Sequence, residues 1–327
     1  MRFAALFPGQ LSEKAGMGEA LAATRPSVAR WIAEAGERAG VDLPAVFFGE
    51  GRHDLHDDLP AQVGVYAVSV AVLDVLAAEH GLVPAACAGY SLGTYAAFVG
   101  AGVLEKRAAL EVLLRTGTLL REKAPAGGMG YVIGLSEQDV ASELTRLGLG
   151  PDEVAVANVN APRQIVLAGT TSPLLRALDR LAATALKVEA LPLGWPMHSA
   201  ALEPVAAELR AFVDREVRLT WPGRAALYAP MLGRAVRSEE EARAVLAGQI
   251  AHPSRWSEVL LAMDAAGESR YAEVGPGDLL AKMHRWTLRR SRADVLEEPE
   301  GLARFAADGA GPSLRPAPGV AADEEVT

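Results

Sequence analysis

Gly89-Tyr90-Ser91-Leu92-Gly93 follows the short apolar run from Ala85 to Ala88 and leads into Thr94 to Val103, a small-residue stretch free of proline. Read as strand, tight turn and helix, that order is the setting in which a G-x-S-x-G pentapeptide lifts a serine hydroxyl out of the strand-to-helix junction. The serine of such a turn sits at strained backbone angles, and flanking side chains would collide across it, so glycine is required on both sides. Alone, the pentapeptide also fits an ordinary turn, because Gly and Ser are common. Its surroundings favour a serine placed to attack a carbonyl carbon and to hold the acyl group covalently.

Outward from the pentapeptide, residues 3 to 7 read as a first strand running into Pro8-Gly9-Gln10, and apolar periodicity predicts helices around 17 to 40, 62 to 80 and 94 to 124. Ala126-Gly127-Gly128 breaks that rhythm. Strands are then expected at Met129 to Leu135, Val154 to Asn158, Gln164 to Ala168 and Leu186 to Leu191. Helices are expected at Ser136 to Leu147, with a capped start, and at Ser172 to Ala185. The order β-α-β-β-α-β is that of a ferredoxin-like unit. Later, Tyr271-Ala272-Glu273-Val274-Gly275-Pro276-Gly277 reads as a strand leaving into a turn, with a helix from Asp278. The expected fold class is α/β: a large α/β-hydrolase-like domain with a parallel sheet at 1–126 and 192–308, and a small inserted ferredoxin-like subdomain at 127–191. Residues 309–327 lack apolar periodicity and read as a disordered tail.

Composition narrows the functions. Half of the 327 residues are apolar, enough for a sizeable core, and the net charge of -9 argues against nucleic acid as a partner. Cys87 is the single cysteine and falls in the buried strand before Ser91, so it reads as a reduced core residue. The N-terminal apolar stretch is too short for a secretory segment, and Val63 to Leu73 is well below the roughly 20 residues of a membrane span. A cytoplasmic protein without a membrane partner is expected. His53, His56, His80 and His252 show no metal-ligand spacing, and Gly127-Gly128 lacks the Lys-Ser/Thr of a phosphate loop.

A serine nucleophile needs a base, and His198, in Gly194-Trp195-Pro196-Met197-His198-Ser199-Ala200, stands where the chain re-enters the large domain. Together with Phe7-Pro8-Gly9-Gln10, the Ser91 pentapeptide, Asn158-Val159-Asn160-Ala161-Pro162 and Glu273-Val274-Gly275-Pro276-Gly277, this segment resembles the malonyl-CoA:carrier-protein transacylases and polyketide synthase acyltransferases, in order and approximate spacing. The resemblance covers roughly residues 3 to 288. It implies Ser91 as nucleophile and His198 as general base and then acid. It further implies backbone N–H groups of Gln10 and Leu92 as oxyanion donors, main-chain carbonyls rather than an acid orienting the histidine, and Gln249 in support. No bound cofactor is implied. The acyl groups ride on the phosphopantetheine of CoA or of acyl carrier proteins, and a monomer is expected.

Departures from the family pattern bear on the acyl group. Members that carry carboxylated groups use an arginine in an Arg-Gly pair to grip the carboxylate. Counting on from Ser91 at their spacing lands on Thr116-Gly117, and Arg115 is turned about 100° away around a helix. A buried carboxylate beside Thr116 would lack a cationic partner, so a non-malonyl group is expected; Arg115 reaching in through a bulge is the alternative. Tyr90 and the apolar Trp195-Pro196-Met197 suit a neutral acyl chain as well, although Tyr90 also fits core packing. The expected substrate pocket is Tyr90, Thr116, Trp195, Met197 and Asn160. Stand-alone relatives that lack the arginine move aminoacyl or dipeptidyl groups between carrier proteins in antibiotic macrolactam pathways. The alternatives are a proofreading acyl-thioester hydrolase and a malonyl transacylase. A non-catalytic scaffold and a lipase-like hydrolase fit less well, the latter because its histidine lies near the C-terminus. Lys282, Arg285, Arg289 and Arg290 fall in one expected helix, where they form either a solvated face or a docking patch for an acidic carrier protein.

Overall fold

The computed structural model describes residues 2–49 and 58–308. The expected tail at 309–327, His53 and His56 lie outside the described residues. The chain begins with β1 (Ala4–Phe7), then α1 (Glu19–Thr24), α2 (Pro26–Ala39), α3 (Leu43–Phe47) and α4 (Asp58–His80), before β2 (Ala86–Gly89), α5 (Gly93–Gly100) and α6 (Lys106–Lys123). Its middle forms β3 (Gly128–Ile133), α7 (Glu137–Arg146), β4 (Val154–Ala161), β5 (Gln164–Gly169), α8 (Thr171–Ala182) and β6 (Lys187–Ala190). It returns through α9 (Glu203–Glu216), β7 (Ala226–Ala229), β8 (Arg234–Ala235), α10 (Glu239–Gly248) and α11 (Trp256–Ala265). It closes with β9 (Tyr271–Val274), α12 (Leu279–Thr287), β10 (Ala293–Leu296) and α13 (Pro299–Asp308).

The large sheet has the order β10-β9-β1-β2-β7-β8, and every neighbouring pair is parallel except β7 with β8. Successive side chains of a strand face opposite ways. Phe3, Ala5 and Phe7 therefore join the core under α2, α4 and α5, whereas Ala4 and Leu6 join a second core with Trp256, Leu260 and Met263 of α11. Both faces of the sheet are covered, which is why β1 reads as an unbroken apolar run rather than an alternating one. α4 begins at Asp58, one turn earlier than its apolar pattern. It is long and apolar enough to cross a membrane by length and composition, but 78% of its most apolar window is buried inside the fold. Its apolar side chains are thus spent on the core.

The second sheet is antiparallel, in the order β4-β5-β3-β6, with α7 and α8 supplied between its strands. Ser136 caps α7 as its sequence suggests, with Asp139 answering in a capping box. The sheet is tied to the large core where Val159 N–H donates to the Ser254 carbonyl and Ser254 N–H to that of Ala157. The basic run at 282–292 differs from the expectation of one helix. α12 ends at Thr287, and Arg289, Arg290 and Arg292 lie on the connection to β10.

Candidate active site

Ser91 stands at the carboxyl end of β2, in the interior of the large sheet, with φ at 51°. That left-handed value is rare for a residue with a side chain and marks stored strain. The glycines around it are forced by contact. A Cβ on Gly89 would lie 2.2 Å from the Gly93 carbonyl carbon, and one on Gly93 would lie 2.1 Å from the Phe7 carbonyl oxygen. The turn is therefore pressed against both its own helix and the end of β1, and that pressure holds Ser91 in place.

His198 reaches the serine from the connection between β6 and α9. Ser91 Oγ lies 2.9 Å from His198 Nε2. His198 also has a left-handed φ, 60°, and its backbone N–H donates to the Ile250 carbonyl. On the other ring edge, Nδ1 lies 2.8 Å from the Gln249 carbonyl oxygen and 3.3 Å from that of His252. Carbonyls only accept, so Nδ1 carries the proton and Nε2 is left as the acceptor facing Ser91 Oγ–H. Burial holds the imidazole below its ordinary pKa, opposed by those two carbonyl bonds, so the ring is neutral at pH 7. The pair is thus set for proton transfer from serine to histidine, with two carbonyl dipoles in place of an acid to steady the imidazolium that forms.

Gln10 and Leu92 flank the serine and line a narrow cavity of about 30 Å³ with Gln62, Tyr95, Leu113, Thr116, Leu120, Met197, Gln249 and Ile250. Among the described residues neither the Gln10 nor the Leu92 backbone N–H donates to a protein acceptor. Leu92 N–H therefore follows the nucleophile as an unspent donor at the foot of α5. Gln10 is fixed by its side chain: Nε2 donates to Asp58 Oδ1 at 2.8 Å, and Gln62 Nε2 donates to Oε1 at 3.3 Å. Thr116 forms part of the wall, with Oγ1 2.8 Å from the Val112 carbonyl and 2.9 Å from Tyr95 Oη. Burial pushes the Tyr95 phenol up to about 12, so it stays a neutral donor.

Other expected pocket residues lie elsewhere. Tyr90 packs edge-on against Trp256, with ring centroids 5.6 Å apart, and its hydroxyl meets Asn160; both belong to the packing behind the turn. A residue adjacent to the elbow serine points to the opposite side of the strand end, which sends Tyr90 inward. Trp195 packs on the main core, and of the Trp-Pro-Met segment Met197 lines the cavity. Arg115 is half-buried and outside the cavity wall, and α6 is continuous from Lys106 to Lys123, without the bulge that would bring it in. Lys282 pairs with Asp278, whereas Arg285 and Arg289 line a groove with Arg163, Trp286 and Arg292. Gln62, Tyr95, Leu113 and Leu120 were not foreseen. The two leucines had a signal, since they repeat at helical spacing from Thr116.

A family model described as acyl transferase domain matches residues 5–304. The chain belongs to the acyl transferase domain family. Among its relatives, the malonyl CoA-acyl carrier protein transacylase of Salmonella typhimurium is 31% identical over 92% of this chain and 98% of that protein. Polyketide biosynthesis protein ThaF of Burkholderia thailandensis is 33% identical over 86% of this chain and 24% of its own length. Among solved structures, a type II polyketide synthase acyl-carrier protein in complex with its malonyl-transacylase superposes with a TM-score of 0.87 at 28% identity, covering 94% of this chain and all of the matched one. The malonyl-CoA:acyl carrier protein transacylase of Xanthomonas oryzae gives 0.87 at 30% identity, over 94% of this chain and 98% of its own. As an acyltransferase of this family, the chain works without a bound cofactor.

Proposed function

We propose that this acyltransferase moves an acyl group from a CoA thioester, through Ser91, to the phosphopantetheine thiol of an acyl carrier protein in fatty acid or polyketide synthesis. The observation that carries the reading is Ser91 Oγ at 2.9 Å from an Nε2 whose ring is held in the accepting tautomer. Ser91 Oγ attacks the thioester carbon as its proton passes to His198 Nε2, and the oxyanion is met by the N–H groups of Gln10 and Leu92. The C–S bond then breaks, and the departing thiolate takes the proton from Nε2. In the second half the carrier's thiol gives its proton to Nε2 and attacks the ester, and Ser91 Oγ leaves as the free hydroxyl. Gln249 serves through its carbonyl, which fixes the histidine, and through its side chain at the cavity.

Malonyl is the acyl group that the comparisons favour, since relatives matching nearly the whole chain are malonyl transacylases. Thr116 favours a second reading, a small acyl group without a carboxylate, because none of the cavity-lining side chains is cationic. Incubation with malonyl-CoA and acetyl-CoA, followed by unloaded carrier protein, tests both. Malonyl transferred to the carrier supports the first reading and acetyl alone the second, whereas release as free acid in place of transfer would convert the assignment to a proofreading hydrolase.

The large sheet and its helices, residues 1–126 and 192–308, form an α/β-hydrolase-like catalytic domain in this reading, and 127–191 a ferredoxin-like subdomain that delivers the histidine. The groove of about 630 Å³ at the end of α12 is the proposed carrier-protein dock. Arg285 and Arg289 meet acidic side chains there, Arg290 stands beside them, and Lys282 contributes less because Asp278 already holds it. The enzyme is assigned to the cytoplasm, as a monomer.

A further inference from the structure

We infer that Tyr95 and Thr116 fix which end of the Gln249 carboxamide faces the acyl site: Nε2 is held on Tyr95, and Oε1 is left as an acceptor toward the acyl group. The inference rests on the Ser91 acyl-enzyme reading above and not on which acyl group is native. Tyr95 of α5, Thr116 of α6 and Gln249, which caps the end of α10, are all buried, and all three line the cavity beside Ser91 and Leu92. The direction of their hydrogen bonds follows from the protons available. Thr116 Oγ1 lies 2.8 Å from the Val112 carbonyl oxygen, which can only accept, so the one hydroxyl proton of Thr116 is spent there. Tyr95 Oη, 2.9 Å from the same Oγ1, must then be the donor of that bond. With its proton committed, the phenol can only accept from its other neighbour, the Gln249 side chain. The donor end of a carboxamide is its NH2 group, so Nε2 turns to Tyr95 and Oε1 is the end left to the cavity that Gln249 lines.

The chain of donors thus runs from Gln249 through Tyr95 and Thr116 to the Val112 carbonyl, and burial makes its direction matter. A buried donor or acceptor left unpaired costs more than a made bond gains, so the links turn over together or not at all. Gln249 also accepts from His198 Nδ1 through its backbone carbonyl, at 2.8 Å, so one residue steadies the base and shapes the acyl wall. An amide oxygen in that wall opposes an acyl group that presents only acceptors, a carboxylate above all, and accommodates a methyl group. Thr116 is the point at which this polarity is set. Without its hydroxyl, the Tyr95 proton finds its partner in Gln249 Oε1; the carboxamide turns over, and Nε2 then faces the acyl group. Tyr95 and Thr116 are therefore positioning residues that act on specificity through Gln249.

The test is the ratio of malonyl to acetyl loading rates on Ser91, from malonyl-CoA and acetyl-CoA, in wild type, Thr116→Ser, Thr116→Val and Tyr95→Phe, with thermal melting of each variant to establish folding. Thr116→Ser keeps the chain of donors and should keep the ratio within about twofold. Thr116→Val, which loses a hydroxyl and gains no charge, should raise the ratio about tenfold, because a donor then meets the carboxylate in place of an acceptor. Tyr95→Phe frees the amide to present either end and should raise the ratio by less. Loosened packing would slow both thioesters together and leave the ratio where it was. While wild type still acylates Ser91, a ratio that falls or stays within about twofold in a folded Thr116→Val overturns this inference alone. Should Thr116→Val fail to fold, an unchanged ratio in Tyr95→Phe does the same. A wild type that acylates Ser91 from neither thioester overturns the acyl-enzyme reading and this inference together.

Discussion

At the scale of single residues, the two positions to which the proposal gives the chemistry are also backbone exceptions: Ser91 and His198 both hold left-handed φ values that their side chains do not favour. Neighbouring contacts impose those angles, so the hydroxyl and the imidazole meet without rearranging when substrate arrives. The histidine's protonation then sets the pH response. Its pKa is lowered by burial, so the neutral base persists below the ordinary imidazole value and is lost only on further acidification. The rate of Ser91 acylation should stay flat from pH 8 to about 6.5 and fall at lower pH, with stopped acylation followed by intact mass. An acid limb centred above pH 7 would show that the ring is charged in the free enzyme and contradict the tautomer drawn here. Ser91 was legible from sequence because its constraint is local: two glycines, a strand and a helix within a dozen residues. His198 was legible through its resemblance and its place after the inserted sheet, since no local pattern pairs it with a serine 107 residues away.

At the scale of elements, α6 shows what periodicity can and cannot reveal. The position of Thr116 on the cavity wall follows from spacing, yet Gln62 of α4 and Tyr95 of α5 reach the same cavity from helices whose packing the sequence does not state. Tyr90 was misplaced for a related reason, because the side to which a strand end turns is decided by the sheet. β7, β8 and β10 were unseen, being two to four residues long and drawn from mixed sequence. α12 carries a separate consequence. Glu273, fully buried on β9, accepts from the Leu280 and Ala281 N–H groups at the first turn of α12, and burial raises its pKa to about 7. His284, buried on the same helix, is lowered to about 4 by burial. Protonation favours the folded state at Glu273, a contribution full below about pH 4.5 and lost as pH climbs through 7; protonation opposes folding at His284, where stability is lost as pH falls from 6.5 toward 4. The two slopes oppose each other over most of that range. Glu273→Gln should unmask the histidine: the stability of the variant minus that of wild type should rise by about 2–3 kcal/mol from pH 4.5 to 8, by urea unfolding. A difference that stays level with pH would mean that Glu273 titrates normally.

At the scale of the molecule, an enzyme of net charge -9 gathers Arg163, Arg285, Arg289 and Arg292 around one groove with the half-exposed Trp286. A positive groove in a negative surface selects where an acidic partner can settle, and it does so through fields that salt screens. Arg285→Glu/Arg289→Glu should raise KM for carrier protein about tenfold or more while leaving loading from CoA thioesters within about twofold, and added salt should shrink the gap. Equal loss with both substrates would place these arginines in folding or in the active site instead. The six-stranded sheet was legible in outline, since β1 and β2 are buried apolar runs and β9 a short strand, each before a glycine-containing turn, and so was the inserted sheet with its helices. Their mutual arrangement, which carries His198 to Ser91, was supplied by contacts such as Ser254 with Ala157 and Val159 that leave no trace in composition. The central claim is a covalent ester on that serine. Wild type and Ser91→Ala would each be mixed with malonyl-CoA, quenched in acid within seconds, and digested for mass mapping. The account predicts a malonylated peptide containing Ser91 in wild type, discharged by added carrier protein, and an unlabelled Ser91→Ala; a label that persists in Ser91→Ala, or maps to another residue, would contradict it.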